Sequence, residues 1–156
     1  MQMKSWFIGL LMVMAGIVTS NAQSASDIDA IKAAHESFYT ALSARDPKAM
    51  GAVWANKPYV VNIGPSSKTI AVGYEDAVSK YWVRAFGRFS KASVSSTSIA
   101  KVQTNGNLAW VVGTEHAELE LKSGGQRTID LFVTNIFEKV GDRWLMISHH
   151  AQVIPK

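Results

Sequence analysis

Apolar residues recur along this chain first with a helical period and then with a strand period. Ile28, Ile31, His35, Phe38 and Leu42 are spaced by three and four, which predicts one buried face of a helix. Ser26 is its expected N-cap and Asp29 its first-turn carboxylate, and Asp46-Pro47 ends it. Pro47 suits the first turn of a short second helix carrying Met50, Val53 and Trp54. YVVNIG (59–64) and TIAVG (69–73) then read as two short strands around a Pro65-Ser-Ser turn. A third helix is expected from Tyr74 to about Phe89, with Ala77, Val78, Tyr81, Trp82, Ala85 and Phe86 as its apolar stripe. The remainder reads as strand: Ser93 to Thr104, Leu108 to Leu121, QRTIDLFVTNIFEKV and DRWLMISHHAQV, joined at Asn105-Gly106, Ser123-Gly124-Gly125 and Gly141-Asp142. Three leading helices followed by an antiparallel meander predict an α+β domain in which helices cover one face of a curved sheet.

The last two strands carry the densest polar chemistry. Strict alternation puts Leu131, Val133, Asn135 and Phe137 on one face of the first, opposite Asp130, Phe132, Thr134, Ile136 and Glu138. On the second it puts Trp144, Met146, Ser148, His150 and Gln152 on one face, with Leu145, Ile147, His149, Ala151 and Val153 on the other. Polar atoms among apolar ones on both faces point to a pocket or a dimer interface. Phe132, Thr134 and Ile136 make the outer face apolar enough to predict a homodimer through the sheet.

Composition refines this picture at the chain's start. Lys4, the apolar run Trp6 to Val18 and the small residues of Ser20-Asn21-Ala22 read as a signal peptide over residues 1–22. The run is shorter than the ~20 residues a spanning helix needs. Residues 23–156 are then one exported domain, secreted or periplasmic, with no membrane association after cleavage. That length buries a sizeable core, and with no cysteine the packing alone must stabilise it. The net charge of +4 is spread along the chain, which argues against a nucleic-acid partner.

The runs FYTALSARDPKAMGAVWA, YVVNIGPSSKTIAVGYEDAVSKYW, LAWVVGTE and TNIFEKVGDRWLMISHHA resemble the SnoaL-like branch of the nuclear transport factor 2 (NTF2-like) superfamily, which includes ketosteroid isomerases. The resemblance covers roughly residues 27 to 154. It implies a cone, with three N-terminal helices packed on a strongly bent, mostly antiparallel sheet, a pocket between them, and a dimer. It also implies that the isomerase's oxyanion tyrosine falls on Phe38 and its catalytic aspartate on Asn62. Phenylalanine has no hydroxyl and an amide is no carboxylate base, so both ketosteroid isomerase roles stand vacant. In SnoaL-like relatives the last strand carries a His six residues after its Trp and a Ser two later; here these are His150 and Gln152.

Other chemistries are weakly supported. His149 and His150 point to opposite faces and cannot chelate one ion together, and Glu115, Glu118 and Glu120 read as solvated strand positions. Neither a metal nor a cofactor is expected. His35 is either a satisfied core histidine or a pocket histidine, and Tyr81 and Trp82 are either packing or pocket wall. The reading favoured by the sequence is a binding protein for a small, largely apolar molecule, without ketosteroid isomerase activity. Phe38, Trp54, Trp82 and Phe137 line its pocket, and Asn62, Asn135 and His150 orient the ligand. The alternative is an isomerase or hydrolase using His150 as general acid or base.

Overall fold

The structure, a computed structural model, describes residues 17–156. The expected signal segment lies outside these residues up to position 16. Helix α1 (Ile17–Ala44) is followed by α2 (Pro47–Val53), β1 (Val61–Ile63) and β2 (Ala71–Val72). A π-helical turn (Glu75–Lys80) then leads into α3 (Tyr81–Gly87), and β3 (Phe89–Asn105), β4 (Leu108–Leu121), β5 (Gln126–Val140) and β6 (Arg143–Val153) complete the chain. No described helix is long and apolar enough to cross a membrane.

α1 begins before Ser26, which is therefore not an N-cap but an exposed position within the helix. No proline or glycine interrupts residues 17 to 25, so nothing local stops the helix there. Asp27 still anchors it. Its Oδ1 accepts from Lys139 Nζ at 2.6 Å and from Trp144 Nε1 at 3.2 Å, tying α1 to the β5–β6 hairpin. The Lys139 bond leads in holding the Asp27 carboxyl below its usual range, against burial. α1 ends at Arg45, whose φ of 54° is left-handed. Asp46 then caps α2 through Lys48 N and Ala49 N at 2.8 and 3.0 Å, with Pro47 in the first turn.

One sheet has the order β2-β1-β6-β5-β4-β3. All its pairings are antiparallel except β1 with β6. α1 crosses the concave face, and the core lies between them around Ile31, Phe38, Met50, Val111, Val133, Phe137 and Met146. The sheet curves because β3 carries extra residues against β4 at Thr97 and Ala100. Gly113 lies opposite this stretch, and a Cβ there would overlap the Ser98 carbonyl oxygen. A backbone atom cannot swing aside, so Gly113→Ala is expected to cost about 2–3 kcal/mol in urea denaturation. A loss below roughly 0.5 kcal/mol would mean that β3 shifts freely and the glycine is dispensable.

A second irregularity changes the site. In the β5–β6 pairing Ile136 faces Ser148 but Phe137 faces Met146, which leaves Ile147 as an extra residue in β6. Before the bulge Trp144 and Met146 are buried; after it the buried residues are His149 and Ala151. Alternation read straight through puts His150 inside, and the bulge turns it out.

Candidate active site

Four side chains from four elements meet on the concave face. His35 comes from α1, Ser96 from β3, Asn135 from β5 and His149 from β6. The Asn135 amide bridges the histidines: its Oδ1 lies 2.8 Å from His149 Nδ1 and its Nδ2 lies 3.2 Å from His35 Nδ1. An amide oxygen only accepts and an amide nitrogen only donates. This arrangement therefore places the His149 proton on Nδ1 and leaves His35 Nδ1 bare, with His35 Nε2 free to donate toward Ser96 Oγ at 3.4 Å. His149 thus keeps an acceptor lone pair on Nε2. Its ring packs 4.8 Å from that of Phe38 and 6.3 Å from that of Trp82. Burial lowers the His35 pKa to about 4 and the His149 pKa to about 3, the latter also through the repulsion that a protonated His149 would meet from protonated His150 and His35. Both imidazoles are neutral at physiological pH.

Two rows along the same face stands Glu115 of β4, paired with Leu131 of β5. It is 4% exposed, and its Oε2 has no hydrogen-bond partner among the described residues. Burial raises its pKa to about 7, with the neighbouring Tyr39 hydroxyl working in the opposite direction. Burial, and next the Glu115 charge, drive the Tyr39 phenol in turn far above its usual value. The Tyr39 hydroxyl and Trp82 Nε1 are also buried without partners.

Glu115 and His149 line the buried end of a cavity of about 590 Å³. Trp82, Ala85, Val94, Ala117, Leu119 and Leu131 form apolar walls, and Ser66, Arg88, Lys122 and Arg127 stand at the exposed end. The volume suits a drug-sized molecule. A carboxyl that titrates near neutrality at the apolar end of a cavity is the arrangement general acid–base chemistry requires.

Several expected positions move. Trp82 does line the cavity. Phe38 and Phe137 are fully buried core residues, Phe38 stacked edge-on to Trp82 at 5.5 Å. Trp54 is 2% exposed and bridges by its backbone to Met146. Asn62 is fully buried and donates to the Ala77 carbonyl at 2.9 Å, which pins β1 to the π-helical turn. Asn135 orients His149 from behind instead of reaching the cavity wall. His150 is exposed on the convex face opposite Thr134, so its expected inward position is corrected to an outward one. His35 is the satisfied core histidine. Glu115 is not the solvated position expected of it, although it shares strand parity with Val111, Ala117 and Leu119, and that parity was the available signal. His149 had no such signal, because the bulge that turns it inward has no sequence mark.

Known proteins share this architecture. The SnoaL-like domain model matches residues 31–155. An NTF2-like superfamily protein from Salmonella enterica superposes with a TM-score of 0.77 at 15% identity, over 85% of this chain and 94% of its own. A ketosteroid isomerase-like protein from Erwinia carotovora superposes with a TM-score of 0.69 at 20% identity, over 83% and 98%. In sequence, F-box protein SKIP8 of Arabidopsis thaliana is 28% identical over 130 residues, which are 80% of this chain. The chain spans 50% of the length of that curated relative. By the family match over most of its length the chain belongs to the SnoaL-like domain family, and it shares its fold with NTF2-like superfamily proteins.

Proposed function

We propose that this is an exported SnoaL-like protein whose cavity takes a small, largely apolar molecule and acts on it by proton transfer through Glu115. The observation that carries this reading is a carboxyl buried at the cavity's apolar end, with Oε2 unpartnered and a pKa near 7. Burying an unpaired carboxyl costs stability, and a group poised between acid and base at neutral pH offsets that cost by function. Glu115 takes or gives the proton, His149 Nε2 accepts a hydrogen bond from a ligand hydroxyl, and Trp82 Nε1 donates to a ligand oxygen. Phe38 and Asn62 leave the ketosteroid isomerase tyrosine and aspartate positions unfilled, and His150 faces away. The reaction class is therefore an isomerisation or elimination routed through a different carboxyl.

The protein also forms a homodimer through its convex sheet face in this reading, because Trp110, Val112 and Phe132 stand 36–51% exposed there. Native mass spectrometry on protein from its own secreted or periplasmic fraction tests these points together. A chain beginning near Gln23, in a dimer carrying a small molecule, is expected. An uncleaved chain, or a monomer at tens of micromolar, overturns export or dimerisation respectively. The retained molecule is then incubated with the protein in deuterated water. Deuterium uptake or product supports proton transfer; a molecule returned unchanged makes the cavity a carrier site and removes the catalytic reading.

A further inference from the structure

The exposed end of the cavity differs in chemistry from its walls. Arg88 follows α3, Lys122 begins the β4–β5 turn and Arg127 lies early in β5, and all three line the cavity. The Lys122 backbone N–H donates to the Arg88 carbonyl at 2.9 Å, which locks the turn against the helix end and brings two of the cations together. Arg127 pairs with Leu119 across the ladder, two rows beyond the Glu115–Leu131 pair with Ala117–Ile129 between. It therefore stands on the same concave face as Glu115. Among the described residues none of the three cations is in an ion pair, whereas Lys80, Lys91 and Lys139 each hold a carboxylate. Three unneutralised cations around one opening make a favourable field for an anion.

We infer that the ligand is an anionic amphiphile, with a carboxylate, sulfonate or phosphate held at Arg88, Lys122 and Arg127 and an apolar body reaching inward to Glu115 and His149. The orientation is set by charge. An anion at the buried end would lie against the Glu115 carboxyl and lose its hydration, while at the rim it meets guanidinium and ammonium groups in partial contact with water. Leu119 lies four steps along β4 from Glu115, so the apolar body spans roughly 14 Å at about 3.4 Å per residue. This inference rests on the cavity being the ligand site, and it adds the class of ligand.

A matched pair of fluorescent probes tests it: 1-anilinonaphthalene-8-sulfonate, and N-phenyl-1-naphthylamine, which has the same aromatic skeleton without the sulfonate. Dissociation constants are measured for the full mature protein, for Lys122→Gln/Arg127→Gln, and for Ala85→Phe, which fills the cavity from α3. The wild type is expected to bind the sulfonate about tenfold more tightly than the neutral probe, with the preference falling as salt rises. The double variant loses that preference while its affinity for the neutral probe is unchanged, and Ala85→Phe weakens both. Equal affinity for the two probes, or a preference that survives the double substitution, overturns the anionic ligand while leaving the cavity as a binding site. Binding of neither probe, or binding that Ala85→Phe leaves intact, overturns the cavity reading and this inference with it.

Discussion

Glu115→Gln is expected to lower turnover by roughly 10²–10⁴-fold while leaving ligand affinity within a small factor. Glutamine keeps the shape and a hydrogen-bonding end but neither gives nor takes a proton near neutrality. In the wild type the rate should change with an apparent pKa near that of Glu115, about 7, and this transition should vanish with the carboxyl. Stability supplies a second readout, independent of substrate. The folded-state pKa is raised from 4.5 to about 7, so between those values the fold holds a proton that the unfolded chain has released. The stabilisation is complete below pH 4.5 and is lost as pH rises through about 7. At ~1.4 kcal/mol per pKa unit the loss is about 3 kcal/mol. Because His35 and His149 contribute equally to both proteins, the effect is read as a difference: between pH 5 and pH 8 the wild type should lose about 2–3 kcal/mol relative to Glu115→Gln in urea denaturation. An unchanged rate, or an unchanged difference in stability between the two pH values, would remove Glu115 from the site chemistry.

Acid should unfold the protein through His35 and His149. Burial depresses their folded-state pKa values from 6.5 to about 4 and about 3. Their neutral forms therefore contribute stability that is present above pH 6.5 and lost as pH falls through those values. Each shift corresponds to a few kcal/mol, and together they approach the 5–15 kcal/mol that holds a typical domain folded. Near pH 5 unfolding takes up about two protons at these imidazoles and releases about one from Glu115, so stability should rise with a net slope of about one proton per pH unit. His149→Gln should bring that slope close to zero, and Glu115→Gln should raise it to about two. The imidazole C–H resonances should stay at their neutral positions until the acid transition itself. Titration of the assigned His35 and His149 resonances near pH 6.5 in the folded protein, told apart from those of His116 and His150, would show instead that these two histidines are hydrated and that the Asn135 bridge is not what holds them.

Much of the fold was legible because each segment declares its environment by period. The i, i+3, i+4 spacing from Ile28 to Leu42 marked the face of α1 that packs on the sheet. The Asn105-Gly106 and Gly141-Asp142 turns fixed the hairpins, since glycine reaches positive φ at both, 61° and 65°. Leu131, Val133, Asn135 and Phe137 were assigned together to one face of β5 and are all buried. The parity of Glu115 with Val111 and Ala117 placed it on the buried face as well, but a glutamate between a threonine and a histidine reads as solvated when the three are taken alone. At this position periodicity carries the information and local polarity does not.

Sequence alone therefore determined the α+β order of elements, the hairpin turns and the polar composition of the last two strands, because these depend on backbone preference and on contacts between near neighbours. Only the tertiary structure decided which polar groups share the cavity. The extra residue at Ile147 exists because β6 must follow a curved β5, and it exchanges His149 for His150 on the inner face with nothing local to announce it. The raised pKa of Glu115 and the lowered ones of His35 and His149 likewise arise from desolvation by residues far away in the chain. The cationic rim has the same origin, since Arg88, Lys122 and Arg127 become neighbours of one opening only when the β4–β5 turn closes against the end of α3.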